Sequence, residues 1–269
     1  MPEGHTLHRL ARLHQRRYAG EKVQVSSPQG KFTGSATVDG RVLESAEAVG
    51  KHLLHRYGPD ATVHIHLGLY GTFTEFDRPE PVVTGMVRMR MLGETHGTDL
   101  RGPAACELLM DDEVTALFSR LGPDPLRRDA DPERAWRRIS KSRVSIAALL
   151  LDQAVLAGVG NVYRAEVLFR HGIDPMLPGR QLDHEQWDAI WADLVELMRY
   201  GVKVGRIDTV RPEHEPQATG RAPRQDRHGG EVYIYRRTGQ PCLVCGTPVA
   251  TKELAGRNLY WCPSCQQPA

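Results

Sequence analysis

The sequence has no run of about eighteen apolar residues, so no segment could cross a bilayer as a helix. It has no apolar leader either. It opens Met1-Pro2-Glu3-Gly4-His5, and export is not expected. It has little net charge, only +2 at pH 7, and no internal repeat. What it does have is ordinary for a globular protein: 40% hydrophobic and 25% charged residues, which excludes wholesale disorder. Its 269 residues suit about two domains at the usual domain size.

The small net charge is unevenly spread. Residues 1–133 balance to −3 and residues 134–269 to +5, and 16 of the 19 basic residues in the second half are arginines. Arginine carries a planar fork of donors that matches phosphate, so a polyanion is a plausible partner. A solvated basic face accounts for the same numbers.

The first half reads mainly as strands. Thr62 to Leu67 alternates polar and apolar, Gly68 to Phe76 follows after a turn, and Met86 to Leu92 is a further β-like run. A helix is predicted before them, from about Thr6 to Tyr18, with Leu7, Leu10, Ala11 and His14 on one face. Gly122-Pro123-Asp124-Pro125 breaks regular structure. Beyond it Asp131-Pro132-Glu133 reads as a helix N-cap with Pro at the first position, and helices are predicted over 145–156, 161–170 and 183–200. Trp187, Ile190, Trp191, Leu194, Leu197 and Met198 form the apolar stripe of the last one. Residues 205–230 are rich in Arg, Pro, Gly and Gln and read as one long loop, of the kind that is functional or disordered.

Four of five cysteines fall in the last 28 residues, as Cys242-x2-Cys245 and Cys262-x2-Cys265, 16 residues apart. Two such thiolate pairs suit one tetrahedral Zn²⁺, closed and structural because no further ligand is near. Two disulfides or free thiols are the alternative. Cys106 stands alone.

Leu151-Asp152-Gln153 leads to Gly158-Val159-Gly160-Asn161. A glycine turn opening a helix presents unpaired N–H groups to a phosphate, and Asn161 could add a donor or cap the helix. From spacing alone, an ordinary helical hairpin fits better. At the start, the small side chain of Pro2 favours removal of Met1, which would free a secondary amine. An α-amine has a pKa of about 8, so much of it is neutral at pH 7. Such an amine can attack a sugar C1′ to form an iminium, with Glu3 as general acid and base. A disordered tail is the bland alternative.

Taken in order, these motifs resemble the formamidopyrimidine-DNA glycosylase/endonuclease VIII family. The resemblance rests on Met1-Pro2-Glu3-Gly4, on Leu151-Asp152-Gln153 through Asn161, and on the four cysteines, and it spans nearly the whole chain. Met-Pro-Glu-Gly and Leu69-Tyr70-Gly71 look more like the endonuclease VIII branch. It implies an α+β chain: an N-terminal β-sandwich (1–121), a helical domain with a helix–two-turn–helix motif (122–237) and a C-terminal zinc-finger hairpin (238–269). DNA would bind in the cleft between domains with the damaged nucleotide flipped out.

The resemblance assigns Pro2 as Schiff-base nucleophile and Glu3 as the acid that protonates the opening sugar. Lys51 matches the lysine of β-elimination, and Arg257 the finger arginine of δ-elimination and phosphate binding. Asn161 and Arg120 match DNA-phosphate contacts. Leu69 and Tyr70 match the wedge that fills the space of the flipped base. Without the family, Lys51 and Arg257 read as surface cations, and Leu69 and Tyr70 as β-core. There are departures. Thr6 stands where many relatives carry Glu, Gly68 replaces a longer polar residue before the wedge, Arg101-Gly102-Pro103 lacks an Arg-Phe wedge partner, and 205–230 aligns with nothing. His64 and His66 share a strand face and His52 and His55 could pair, without a suitably spaced carboxylate. These histidines read as structural or DNA-facing.

The expectation is a monomeric, nucleoid-associated cytoplasmic base-excision repair enzyme. It would be a bifunctional glycosylase/AP lyase with one structural Zn²⁺, acting on oxidised bases, with pyrimidines favoured, and cutting by β,δ-elimination. The alternatives are a non-catalytic binder of damaged or branched DNA and an oxidised-purine glycosylase.

Overall fold

The computed structural model describes residues 2–226 and 230–267. The chain divides into two compact units, Met1–Arg120 and Leu121–Ala269.

The first unit opens with helix α1 (Gly4–Tyr18) and continues through strand β1 (Gln24–Ser26), a single turn α2 (Ser35–Val38), and strands β2 (Ser45–Val49), β3 (His52–Arg56), β4 (Thr62–His66), β5 (Thr72–Asp77), β6 (Met89–Leu92), β7 (His96–Arg101) and β8 (Ala105–Leu109). Helix α3 (Asp111–Ser119) closes it. The strands form two four-stranded sheets, β1-β6-β7-β5 and β2-β3-β4-β8, antiparallel throughout. Val25, Met89, Met91 and Leu100 of one sheet pack with Leu53, Val63, Ile65 and Cys106 of the other, and Leu7, Ala11 and Tyr18 of α1 join the same core. The unit is the β-sandwich that the family resemblance implies.

Three local details differ from the expectation. Helix α1 starts at Gly4, because Glu3 sits in extended conformation as N-cap and its carbonyl already accepts from the Thr6 N–H at 2.9 Å. Strand β6 begins only at Met89; just before it the Val87 N–H goes to the Gln29 side chain at 2.9 Å and not to a strand. The alternation in 62–67 predicts a half-buried strand, yet β4 is buried along most of its length. It lies between β3 and β8, and the face turned from the core is partly closed by His52, Glu107 and α3.

The second unit contains α4 (Pro132–Ile139), α5 (Ile146–Leu151), α6 (Asn161–Arg170), α7 (His184–Val204), a one-turn α8 (Pro216–Thr219) and the hairpin β9 (Ala250–Leu254) and β10 (Arg257–Trp261). Asp131 caps α4 as expected, accepting from the Glu133 N–H. Helix α5 ends five residues early. Asp152 turns the chain there, its carboxylate taking the Ala154 N–H at 2.9 Å. Helix α7 extends to Val204 and stops at Gly205, which takes the left-handed conformation with φ of 80°. Trp187, Ile190, Leu194, Leu197 and Met198 form its buried stripe, and the hairpin residues Val249, Leu259 and Tyr260 belong to the same core.

Segment 205–230 carries more order than a plain loop: a short 3-10 turn at Pro212–His214 and α8 lie within it, while residues 227–229 fall outside the described ones. Its two ends are gathered by the buried carboxylate of Glu166. That group accepts from Thr209 Oγ1 at 2.6 Å and from the main-chain N–H groups of Tyr233, Ile234 and Tyr235 at 2.7–2.9 Å. Among the described residues no helix is long and apolar enough to cross a membrane.

Candidate active site and four-cysteine centre

In the first unit the residues that lead into α1 are held, not trailing. Pro2 is half-buried and Glu3 is 0% exposed at the start of α1, which packs on β2 and β3. Met1 lies outside the described residues. Lys51 is half-buried in the turn that joins β2 to β3, where Gly50 supplies a positive φ of 58°. Thr6 places its hydroxyl 3.3 Å from His5 Nε2. Burial, with the positive charges nearby, pushes buried His5 down to about 4.

Leu69 and Tyr70 occupy the turn between β4 and β5 and stand 46% and 83% exposed. The β-core reading of both is overturned: exposure on this scale leaves their apolar surface for a partner. The glycines around them follow from crowding. A Cβ on Gly71 would meet the Leu67 carbonyl oxygen at 2.3 Å, and Gly68, at φ of +65°, would press one on Ala104 at 2.8 Å. The glycine before Leu69 is thus a backbone requirement here. Arg120 is exposed just past α3.

In the second unit Gln153 builds the glycine turn. Its amide donates to the carbonyls of Leu151 (2.9 Å) and Val159 (2.8 Å), and its oxygen accepts the Gly158 N–H at 3.0 Å. Gly160, not Asn161, is the N-cap of α6. The capping role considered for Asn161 is therefore corrected. Its Nδ2 donates to the Asn258 carbonyl at 2.9 Å, and its Oδ1 accepts from buried Arg164 at 3.0 and 2.6 Å. The side chain has better-placed partners than its own helix N–H groups. Arg257 is exposed at the first position of β10, beside Asn258.

The four cysteines converge. Cys242 and Cys265 Sγ lie 4.0 Å apart, Cys245 and Cys262 Sγ 3.4 Å, and all four sulfurs fall within 4.8 Å of one another. Tetrahedral zinc with Zn–S bonds of about 2.3 Å needs sulfurs about 3.8 Å apart. The donor set fits that ion, and it fits disulfides poorly, since the closest pair lies well beyond a bond length of about 2.05 Å. Burial pushes the Cys242 and Cys265 thiols up. Hydrogen bonding from Thr247 holds the Cys245 thiol down to about 6.

The histidines pair differently from the expectation. His52 bonds to His64, Nδ1 to Nε2 at 2.8 Å, while His55 bonds to His14 at 2.9 Å on the core side. A carboxylate does stand beside His64: Glu107 Oε1 is 2.9 Å from Nδ1. Nothing local could have found it, because β8 brings it to β4 from 43 residues away. Glu166 was missed for the same reason. Gln153 lay inside a motif that was read, but its bonds depend on how the turn closes.

Comparison with known proteins agrees with this geometry. Residues 1–106 match the model of the formamidopyrimidine-DNA glycosylase N-terminal domain, 121–212 that of its H2TH domain and 239–268 that of the zinc finger found in FPG and IleRS. Endonuclease 8 1 of Mycobacterium tuberculosis is 58% identical over 271 residues, and Endonuclease 8 of Escherichia coli 30% over 279; each pairing covers 99% of this chain and all of the relative. The crystal structure of Lactococcus lactis Fpg with abasic-site DNA superposes with a TM-score of 0.80 at 23% identity, covering 99% of this chain and all of that one, a likeness of fold. A sandwich bearing a buried Glu3, an H2TH turn and a four-cysteine finger, in that order along one chain, place it in the formamidopyrimidine-DNA glycosylase/endonuclease 8 family of DNA glycosylases that act on damaged DNA.

Proposed function

We propose that this glycosylase is bifunctional. Pro2, freed of Met1, displaces an oxidised base, with pyrimidines favoured, through an iminium at C1′, and then cleaves the strand by β- and δ-elimination. The observation that carries the reading is the placement of Glu3. A carboxyl group removed from solvent at residue 3 stands beside the amine and is positioned to move protons there. Its neighbour amine is a better nucleophile than lysine at neutral pH, because more of it is unprotonated.

The remaining roles follow from position. Lys51, in the turn between β2 and β3, serves β-elimination. Exposed Leu69 and Tyr70 fill the stack left by the flipped base; their free surface supports this. Arg120, Asn161 and Arg257 take backbone phosphates, the last also assisting δ-elimination. A single zinc ion held by Cys242, Cys245, Cys262 and Cys265 supplies no chemistry but fixes the hairpin that carries Arg257. The three-domain division at 121 and 237 belongs to the same reading, as do a monomeric state and a cytoplasmic, nucleoid-associated location.

The test is borohydride reduction with duplexes carrying oxidised pyrimidines, oxidised purines or an abasic site. A covalent protein–DNA adduct is expected with wild type and not with Pro2→Ala. Absence of an adduct with every substrate refutes the mechanism and leaves a DNA binder. Preferential trapping on purine lesions overturns the pyrimidine assignment alone.

A further inference from the structure

Helix α6 opens with a buried cation that no role given above uses. Asn161 is its first residue, and Arg164 stands three residues on, on the same face. Arg164 is 0% exposed. It donates twice to Asn161 Oδ1, from Nε at 3.0 Å and from Nη2 at 2.6 Å, and its Nη1 donates to the Ala147 carbonyl of α5 at 3.1 Å. For stability alone a cation is badly placed there. The start of a helix already carries the positive end of its dipole, and a charge removed from water is costly. The first turn of α6 holds no acidic residue to offset it.

What the guanidinium controls is an amide. Arginine stays protonated and offers only donors. Oδ1 of Asn161 therefore faces it, because a flipped amide would set its NH₂ against N–H groups. The NH₂ is turned the other way. One of its hydrogens goes to the Asn258 carbonyl at 2.9 Å, and the second has no acceptor among the described residues. The Asn258 carbonyl favours the same orientation, but through one neutral bond, about half as strong as a charge-assisted one. Two charge-assisted bonds on Oδ1 also draw electrons from the amide nitrogen, which makes the remaining N–H a better donor.

We infer that Arg164 is a positioning residue: it fixes and polarises the Asn161 amide so that the second Nδ2 hydrogen is presented to a DNA backbone phosphate. This rests on the phosphate role proposed above for Asn161 and deepens it. Being fully buried, Arg164 acts only through Asn161. Its loss weakens the hold on one phosphate and leaves the chemistry of bound DNA intact.

Arg164→Met keeps a long side chain and removes the donors. Wild type, this variant and Asn161→Ala are compared on abasic-site duplexes in which single phosphates are replaced in turn by neutral methylphosphonates. Asn161→Ala is expected to become insensitive to replacement at one phosphate that costs wild type about tenfold in affinity, and Arg164→Met to become insensitive at the same one. With unmodified duplex, Arg164→Met is expected to need about tenfold more DNA for half-maximal single-turnover cutting, with the rate and the borohydride-trapped fraction at saturation unchanged. One check needs no change at position 164. ¹⁵N spectra of wild type, with the Asn161 amide assigned by its loss in Asn161→Asp, are expected to show a coupling across the hydrogen bond from Nδ2 to the Asn258 carbonyl carbon. A freely rotating Asn161 amide overturns the inference even if Arg164→Met does not fold. A wild-type penalty at that phosphate in folded Arg164→Met overturns it too, as does lost trapping at saturating DNA, the mark of a merely structural role. If Asn161→Ala keeps every penalty, the phosphate role of Asn161 falls first and takes that of Arg164 with it.

Discussion

Asn161 Nδ2 donates a 2.9 Å hydrogen bond to the main-chain oxygen of Asn258, and so joins the first turn of α6 to the finger residue that follows Arg257. One side chain couples two motifs that are 97 residues apart in the sequence. Its other face holds Arg164, a fully buried cation that also donates to the Ala147 carbonyl at 3.1 Å.

Asn161→Ala therefore has two costs. It frees the hairpin, and it leaves a buried guanidinium short of acceptors, which costs about 1.5–3 kcal/mol for a charged group. Urea unfolding is expected to show a loss of that size and cleavage is expected to fall. Asn161→Asp keeps the acceptor for Arg164 and is expected to unfold within about 1 kcal/mol of wild type. Equal stability of the alanine variant and wild type would show that Arg164 does not depend on this residue.

Glu166→Gln tests the clamp on segment 205–230. The carboxylate accepts three main-chain N–H groups and one hydroxyl, all buried. An amide offers one acceptor oxygen and turns an NH₂ toward N–H donors, so at least one buried pair becomes repulsive. A destabilisation of about 2–4 kcal/mol is expected, at the high end for one substitution. Limited proteolysis is expected to cut between residues 205 and 230 before elsewhere. Resistance equal to wild type would assign the order of this segment to other contacts.

Acid is expected to destabilise the first unit through its buried histidines. Burial and like charge push His5 down to about 4 and His52 to about 3, and push buried His55 well below its usual value. In the unfolded chain each titrates near its ordinary value, about 6.5. The unfolded state thus takes up protons that the folded state refuses as pH drops from about 6.5 toward 4, and stability falls over that window. Burial works to raise Glu75, but hydrogen bonds from His14 and Thr98 and the charges of His14 and Arg17 outweigh it and hold it low. Its contribution is present above the unfolded carboxylate value and fades at lower pH, in the same direction. Denaturant midpoints measured from pH 7.5 to 4.5 check this; a flat profile contradicts it.

Removal of the metal tests the finger. Cys245→Ser or a strong chelator is expected to release one zinc per chain, measurable by a colorimetric zinc assay, and to abolish strand cleavage, since binding energy at such sites is folding energy. The circular-dichroism strand signal of the first unit is expected to persist. A metal-free protein that cuts normally would separate Arg257 from the reaction.

The parts of this protein legible in the sequence are those in which the residues that act together are neighbours in the chain. The C-x2-C pairs announce a tetrahedral site because each knuckle closes over four residues. Helix α7 announces itself through a 3.6-residue stripe, and the Asp131-Pro132 start of α4 through its cap. Leu69-Tyr70-Gly71 is visible as a motif, but alternation alone does not tell a strand from an exposed turn; the backbone crowding at Gly71 and the exposure of Tyr70 show the turn.

By itself the amino-acid order determined the order of strands, then helices, then a tail with two cysteine pairs, because periodicity, capping and cysteine spacing are local properties. Only the tertiary structure decided that Glu107 meets His64, that Asn161 serves Asn258 and Arg164 in place of its own helix, and that Glu166 gathers both ends of segment 205–230. Each of these is a polar group buried by elements distant in sequence. The need to satisfy it then selects a partner that strand register and helix packing deliver and that no window of neighbouring residues contains.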